Sequence, residues 1–301
     1  MSQASSLRAV LYALGANSGI LIAKGTAAAI TGSSAMLAEA IHSAADCGNQ
    51  VLLLFGMKDA KRAADDKHPL GYGRAVYFWA FLVAVLLFTM GGLFSIYEGW
   101  HKLHDSEPMS NAGIAISVLV VAIVLESFSL AGCIREIRKV SGDRTLWRYF
   151  RTSRNSELIV VLGEDIAALA GLAIALIAIV VAVVTGNPVY DALGSMAVGV
   201  LLVIVAVLLA IEIKAMIIGE STEAETEAAI HRFLSTRPEV AEIYNVVSLQ
   251  LGDSVMLAIK ARMKETGSAT ALIDAINTVE ADLRTAFPVV QWCFFEPDNK
   301  K

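Results

Sequence analysis

Up to about residue 218 the chain is a series of long apolar runs separated by short polar breaks. The runs are Ala9–Ile30, Ser33–Phe55, Ala75–Tyr97, Ala112–Ile134, Leu158–Thr185 and Ala192–Ile211, and each approaches the ~20 residues an α-helix needs to cross hydrocarbon. TGSS and Gly186-Asn187-Pro188 are tight turns, HKLHDSEPMSN is a short mixed link, and two longer connections are strongly charged. The pattern predicts six transmembrane helices. From Gly219 onward the periodicity changes. Glu223–Arg237 is amphipathic with Ile230, Phe233 and Leu234 on one side, Val246–Leu251 and Val255–Arg262 read as strands joined across Gly252-Asp253, Ala269–Ala286 is a second helix and Val289–Phe295 a last strand. The order α-β-β-α-β suits a small open sheet with helices on one face. Residues 1–218 thus read as a six-helix transmembrane domain and 219–301 as a soluble domain whose small core favours pairing with a second copy.

Composition agrees: of 301 residues 56% are hydrophobic and 18% charged, with mean hydropathy +0.61, the profile of a multi-span membrane protein. A net charge of −5 gives no global basic face, which argues against nucleic acid as a partner. Cys47, Cys133 and Cys293 form no CxxC pair, so neither a disulfide framework nor a Cys-rich zinc site is expected. Basic residues lie on alternate connections. Lys58, Lys61, Arg62, Lys67 and Arg74 follow the second run, and Arg135, Arg138, Lys139, Arg144, Arg148, Arg151 and Arg154 follow the fourth, whereas the opposite side holds only Lys102. The positive-inside rule then places both termini in the cytosol. MSQASSLRAV lacks the small-residue cleavage site of a signal peptide, so the first run is expected to be retained, and with no transit peptide evident a bacterial cytoplasmic membrane is the expected location.

Polar groups inside the runs carry the chemistry. His42 and Asp46 stand at i and i+4 in the second run, stacked on one helix face, with Asn49 and Gln50 just beyond. Glu164 and Asp165 lie near the start of the fifth, and the two pairs can meet at similar depth if those helices are neighbours. A charge at mid-bilayer costs at least ~2.5–3.5 kcal/mol, so such groups need a partner. One imidazole and up to three carboxylates suit zinc, manganese, iron(II) or cobalt and disfavour copper(I). Clustered carboxylates repel each other and take up protons, and a cation that competes with those protons gives an exchange mechanism. Each group taken alone also fits a helix-packing contact. Lys24 is expected to pair with Glu39 or Asp191, Asn17 fits helix association, and Glu126 fits either a proton site or a packing hydrogen bond. The spans contain no HExxH and no GxSxG, and an intramembrane enzyme is not expected.

TGSSAMLAEAIHSAADCGNQ, then DDKHPLGYGR, then six runs and a soluble α/β tail resemble the cation diffusion facilitators over nearly the whole chain. VVLGEDIAALAGL and TGNPVYDALGSMAVG are similar to a divergent branch that includes an organellar zinc transporter of animals. The resemblance implies a homodimeric carrier exporting zinc or a related divalent ion from the cytosol in exchange for protons. It also implies a ferredoxin-like (metallochaperone-like) cytosolic dimerisation domain and no permanently bound cofactor. Its transport-site pattern matches His42, Asp46 and Asp165, or Glu164 in place of Asp165 if the match shifts by one residue; Val161 occupies the fourth position, leaving Glu164, an Asn49 or Asn17 oxygen, or water to complete the shell. A weak loop site is implied at Asp65 and His68, with Tyr72 where a histidine is usual. The domain's own metal site is expected to be degraded, with only His231, Glu296 and Asp298 available and Cys293 as core. Val161 keeps open an alternative, a non-transporting metal sensor or partner subunit.

Overall fold

The computed structural model describes residues 2–31, 34–104, 112–142 and 144–300, and of the side chains of residues 2–4, 27, 28, 30, 31 and 34–42 nothing further is described. The chain divides into two compact units. One comprises Met1–Lys58, Val76–Arg151 and Asn155–Lys214; the other comprises Asp59–Ala75, Thr152–Arg154 and Ala215–Lys301.

The first unit is helical: α1 (Ser2–Thr31), α2 (Ser34–Asp59), α3 (Ala75–Leu86), a π-helical segment (Leu87–Leu93), α4 (Phe94–His104), α5 (Ala112–Ser141), α6 (Leu146–Thr152), α7 (Ser156–Thr185) and α8 (Val189–Ile218). Among the described residues, five helical stretches are long and apolar enough to cross a membrane: Ser5–Thr26, Ala75–His104, Ala112–Ser141, Ser156–Thr185 and Val189–Ile218. α2 coincides with the expected second span but is not one of these five; it is the stretch that carries Asp46, Asn49, Gln50, Lys58 and Asp59. α5 packs along α1 and α7. α8 packs on the π segment and α4 through glycines: a Cβ at Gly199 would lie 2.7 Å from Ile96, and one at Gly92 would lie 2.6 Å from Val203. The π segment was not legible in the uniformly apolar third run. Hydroxyls cover its widened backbone, Thr89 Oγ1 donating to Val85 O at 2.9 Å and Ser95 Oγ to Gly91 O at 2.6 Å. α6 corrects the expectation of a continuous charged loop. Its Tyr149 and Phe150 are buried, its Arg151 pairs with Glu212 of α8, and Arg144 lies over the Tyr149 ring.

The second unit is built on α9 (Ala224–Ser235), β1 (Val240–Leu251), β2 (Ser254–Met263), α10 (Ala269–Ala286) and β3 (Val290–Pro297). The sheet order is β1-β2-β3, with β1 antiparallel and β3 parallel to β2. Ile230 and Leu234 of α9 and Val279 and Leu283 of α10 bury against Leu257, Ile259 and Ala261 of β2. The expected hairpin is present: Leu251 pairs with Ser254 across Gly252-Asp253, and Gly252 takes φ +65, the left-handed conformation glycine adopts at no steric cost. β1 starts six residues earlier than expected because VAEIYN breaks alternation at two register shifts, Val240/Glu242 and Ile243/Asn245. The 59–75 segment lies on the hairpin tip, the Gly73 carbonyl so close to Gly252 that a Cβ there would meet it, and Arg74 donates to Ile217 O.

Candidate metal centre

α7 starts at a firm cap. Asn155 Oδ1 accepts from Leu158 N at 2.9 Å, and the Asn155 amide donates to Ser6 Oγ of α1 at 2.8 Å. From that cap the next turns, through Gly163, are buried, and then two acids follow in succession. Neighbours on a helix project about 100° apart, so the two carboxylates face different elements. Glu164 faces α2, where Asn49 Nδ2 donates to Oε1 at 3.1 Å and Gln50 Nε2 to Oε2 at 2.7 Å. Asp165, 3% exposed, faces α5, where Ser129 Oγ lies 3.2 and 3.1 Å from its two carboxylate oxygens.

The two carboxamides on Glu164 are themselves buried, Asn49 at 3% and Gln50 at 1% exposure. With both amide groups committed to the carboxylate, Asn49 Oδ1 and Gln50 Oε1 are left buried without a hydrogen-bond partner among the described residues. The two hydrogen bonds satisfy Glu164, whereas each orphaned oxygen costs ~1–3 kcal/mol. The pocket is stable toward the carboxylate and unsatisfied toward the amide oxygens.

Asp46, one turn before Asn49 on α2, is half-buried and lines with it a cavity of ≈ 370 Å³ walled by Leu86, Leu87 and Met90. Glu126 of α5 is buried within electrostatic reach of Asp46, Lys24 and Asp165. Glu164 likewise feels Asp46 and Asp165. α2, α5 and α7 therefore bring Asp46, Glu126, Glu164 and Asp165 into one buried acidic neighbourhood. The side chains of His42 and Glu39 lie outside the described residues. Val161 is buried one turn before Asp165 and offers no ligand atom. Among the described residues no group of three or more His, Cys, Asp or Glu side chains is arranged to hold a metal ion. Asp191 is paired with Lys102 at 3.7 Å.

The loop residues Asp65 and His68 come together, but inside a hydrogen-bonded knot. Tyr72 OH donates to Asp65 Oδ2 at 2.6 Å, while His68 N at 2.7 Å, Lys67 N at 3.0 Å and His68 Nδ1 at 3.3 Å all engage Oδ1. The Tyr72 hydroxyl, aided by the His68 amide, holds the Asp65 carboxyl down at about 2. His68 lies against the Tyr72 ring at 4.2 Å, and the Arg62 guanidinium sits 3.9 Å over that ring. In the C-terminal unit, Asp298 and Glu296 both face Lys260, at 2.6 and 3.8 Å, and His231 is on α9. Cys293 belongs to the core there, and burial pushes its thiol up to about 11.

Gln50 and Ser129 are the partners that residue type alone did not single out. Their available signals were a second carboxamide directly after Asn49 and a hydroxyl one turn beyond Glu126 on the same helix.

Buried acids from separate helices, in a chain with several membrane-length apolar helices, define an integral membrane protein with an intramembrane polar centre. The family described as "Cation efflux transmembrane domain" matches residues 10–218, and the chain belongs to it. It is 33% identical over 249 residues to metal tolerance protein C4 of Arabidopsis thaliana, covering 82% of this chain and 54% of that protein. It is 34% identical over 224 residues to a mitochondrial proton-coupled zinc antiporter of Mus musculus, covering 74% of this chain and 40% of that one. It is 24% identical over 252 residues to the magnetosome protein MamB of a Magnetospira strain, covering 83% and 80%. The chain thus spans about half the length, or less, of the first two of these relatives.

Proposed function

We propose that this chain is a secondary transporter that exports a divalent metal cation, zinc foremost and manganese, iron or cobalt as further cargo, from the cytosol in exchange for protons. The observation that carries this reading is the pair of adjacent acids on α7, one of them held by α2 carboxamides a turn from Asp46. The transport site consists of His42, Asp46, Glu164 and Asp165, with Asn49 as a further oxygen donor. α2 is the sixth span, its low apolarity being the consequence of the ligands it carries, and both termini are cytosolic. Cation entry displaces protons from the acidic neighbourhood, protons on the far side displace the cation, and rocking of helices around the site exposes it alternately to each side. Asp65 and His68 form only a weak, transient loop site, because the Tyr72 hydroxyl and the loop amides already occupy the Asp65 carboxylate. The host is a bacterial cytoplasmic membrane.

Residues 1–218 form the transport domain, and 219–301 a ferredoxin-like domain through which two copies pair. The uncovered sheet face supports the pairing: Val247, Ala258 and Phe294 form one cross-strand row, with Val247 at 50% and Phe294 at 56% exposure, and Leu249, Met256 and Trp292 form the next.

Purified protein in liposomes carrying a zinc dye and a pH gradient tests the reading. Wild-type vesicles are expected to show proton-driven zinc flux, and Asp46→Ala is expected to abolish it while the dimer persists by size-exclusion chromatography. Undiminished flux through Asp46→Ala would place the site elsewhere. Val161, buried where the family pattern has a ligand, favours a second reading, a non-transporting sensor or partner subunit. Zinc binding without flux from the folded wild-type protein would select it.

A further inference from the structure

We propose that Asn49 and Gln50 form a carboxamide clamp on Glu164 that exchanges with the transported cation and sets which cation is accepted. This deepens the reading of α2 and α7 as the transport site and rests on it. In the cation-free arrangement the two amide groups supply the positive end of their dipoles to Glu164, at 3.1 and 2.7 Å. That arrangement leaves the two amide oxygens buried and without a partner among the described residues. Buried polar atoms are almost always satisfied, so a pair of oxygens left over among the described residues beside a carboxylate is a place that can accommodate a cation. A cation would satisfy them and is drawn there by the Glu164 carboxylate as well.

A half-turn about the last side-chain bond of each carboxamide exchanges N–H for C=O at nearly the same position. When a cation arrives at Glu164, that rotation replaces two donors facing a carboxylate with two oxygens facing a cation. Before entry the clamp gives both carboxylate oxygens of Glu164 a donor, and after entry it contributes ligands that protons do not titrate. Two neutral oxygens beside carboxylates enlarge the shell toward the oxygen-rich, higher-coordinate geometry that manganese prefers, whereas zinc is content with four ligands including an imidazole. Gln50 and Asn49 are therefore specificity-determining: they keep oxygen-preferring cations within reach of a site whose remaining ligands favour zinc.

Equilibrium titration of purified full-length protein with Zn2+ and, separately, Mn2+ tests this, using Gln50→Leu, Asn49→Ala and Gln50→Asn, each first compared with wild type by metal-free thermal melting and elution volume. Gln50→Leu and Asn49→Ala are expected to weaken Mn2+ binding about tenfold more than Zn2+ binding, the scale on which supporting groups act at metal sites. Gln50→Asn, which keeps the carboxamide, is expected to recover part of that difference. Adding Glu164→Gln is expected to abolish the effect of Gln50→Leu on the ratio, because the clamp then has no carboxylate to release. A Zn2+/Mn2+ ratio unchanged in well-folded Gln50→Leu and Asn49→Ala overturns the clamp, and so does a lowered melting temperature with no change in ratio. Failure of the site itself reads differently: Asp46→Ala would then leave both titrations as in wild type.

Discussion

The pocket around Glu164 and the knot around Asp65 both set a carboxylate under several donors, and they end in opposite conditions. Asp65 is solvent-exposed, and its hydroxyl and amide donors have no unmet needs of their own; His68 and Arg62 close the arrangement by resting on the Tyr72 ring. Glu164 takes its donors from two carboxamides, each of which must leave an oxygen behind, and here those oxygens are buried. In water an idle lone pair costs little, because solvent fills it. Away from water the same idle lone pair is costly. The same chemistry thus gives a satisfied structural latch in one place and, in the other, a pocket with two amide oxygens left over. Burial and donor type make the difference, more than the number of acids.

Substitution of the two α7 acids sharpens this contrast most. Glu164→Gln keeps the shape of the side chain but removes the carboxylate on which the two carboxamides converge, and, with Glu164 in the proposed transport site, it is expected to lower zinc flux in proteoliposomes about a hundredfold. Asp165→Asn acts on a carboxylate turned toward Ser129 on α5 and is expected to cost about tenfold. The reverse order would make Asp165 the principal α7 ligand and reduce the Glu164 pocket to helix packing.

Much of this was readable from residue order. Five membrane-length apolar helices, the hairpin at Gly252-Asp253 and the α-β-β-α-β order all follow from strong sequence patterns that packing has little power to override. His42, Asp46, Glu164 and Asp165 stood out because charge is expensive at membrane depth. What did not follow was which way each acid turns. Glu164 and Asp165 differ by one position, and only the placement of α2 and α5 around α7 assigns one to the carboxamides and the other to Ser129. α6 was hidden because a basic, aromatic stretch looks like a loop until Arg151 finds Glu212. The π segment left no mark on a uniformly apolar run. Tyr72 looked like a missing ligand; its role as the donor that fixes Asp65 requires knowing that the loop folds back over seven residues.

That knot offers a second, smaller way to break the comparison. Tyr72→His would replace the donor with an imidazole beside Asp65 and His68, turning a satisfied latch into a set of three ligands. In protein that also carries Asp46→Ala, the change is expected to add one zinc equivalent per chain and to tighten the residual zinc affinity about tenfold. Unchanged stoichiometry would mean that the backbone amides on Asp65 hold the carboxylate too firmly for a metal to take it.

The smallest effect isolates the hydroxyl. Tyr72→Phe keeps the ring under Arg62 and against His68 and removes only the donor at 2.6 Å from Asp65. Asp65 titrates at about 2 in place of its ordinary 3.8, with the Tyr72 hydroxyl as the largest cause and the His68 amide next. A depressed carboxyl supports the folded loop above its ordinary value and loses that support as pH falls through the folded one, here between 3.8 and about 2. Without the hydroxyl the midpoint is expected to climb toward 3.8 yet remain below it, since the amides of His68 and Lys67 still donate at 2.7 and 3.0 Å. Carboxyl-carbon NMR of aspartate-labelled protein in nanodiscs, titrated through that range, reads the midpoint directly. If it stays at about 2, the backbone alone holds Asp65, and at neutral pH the hydroxyl is then left with no part in keeping the loop site closed to metal.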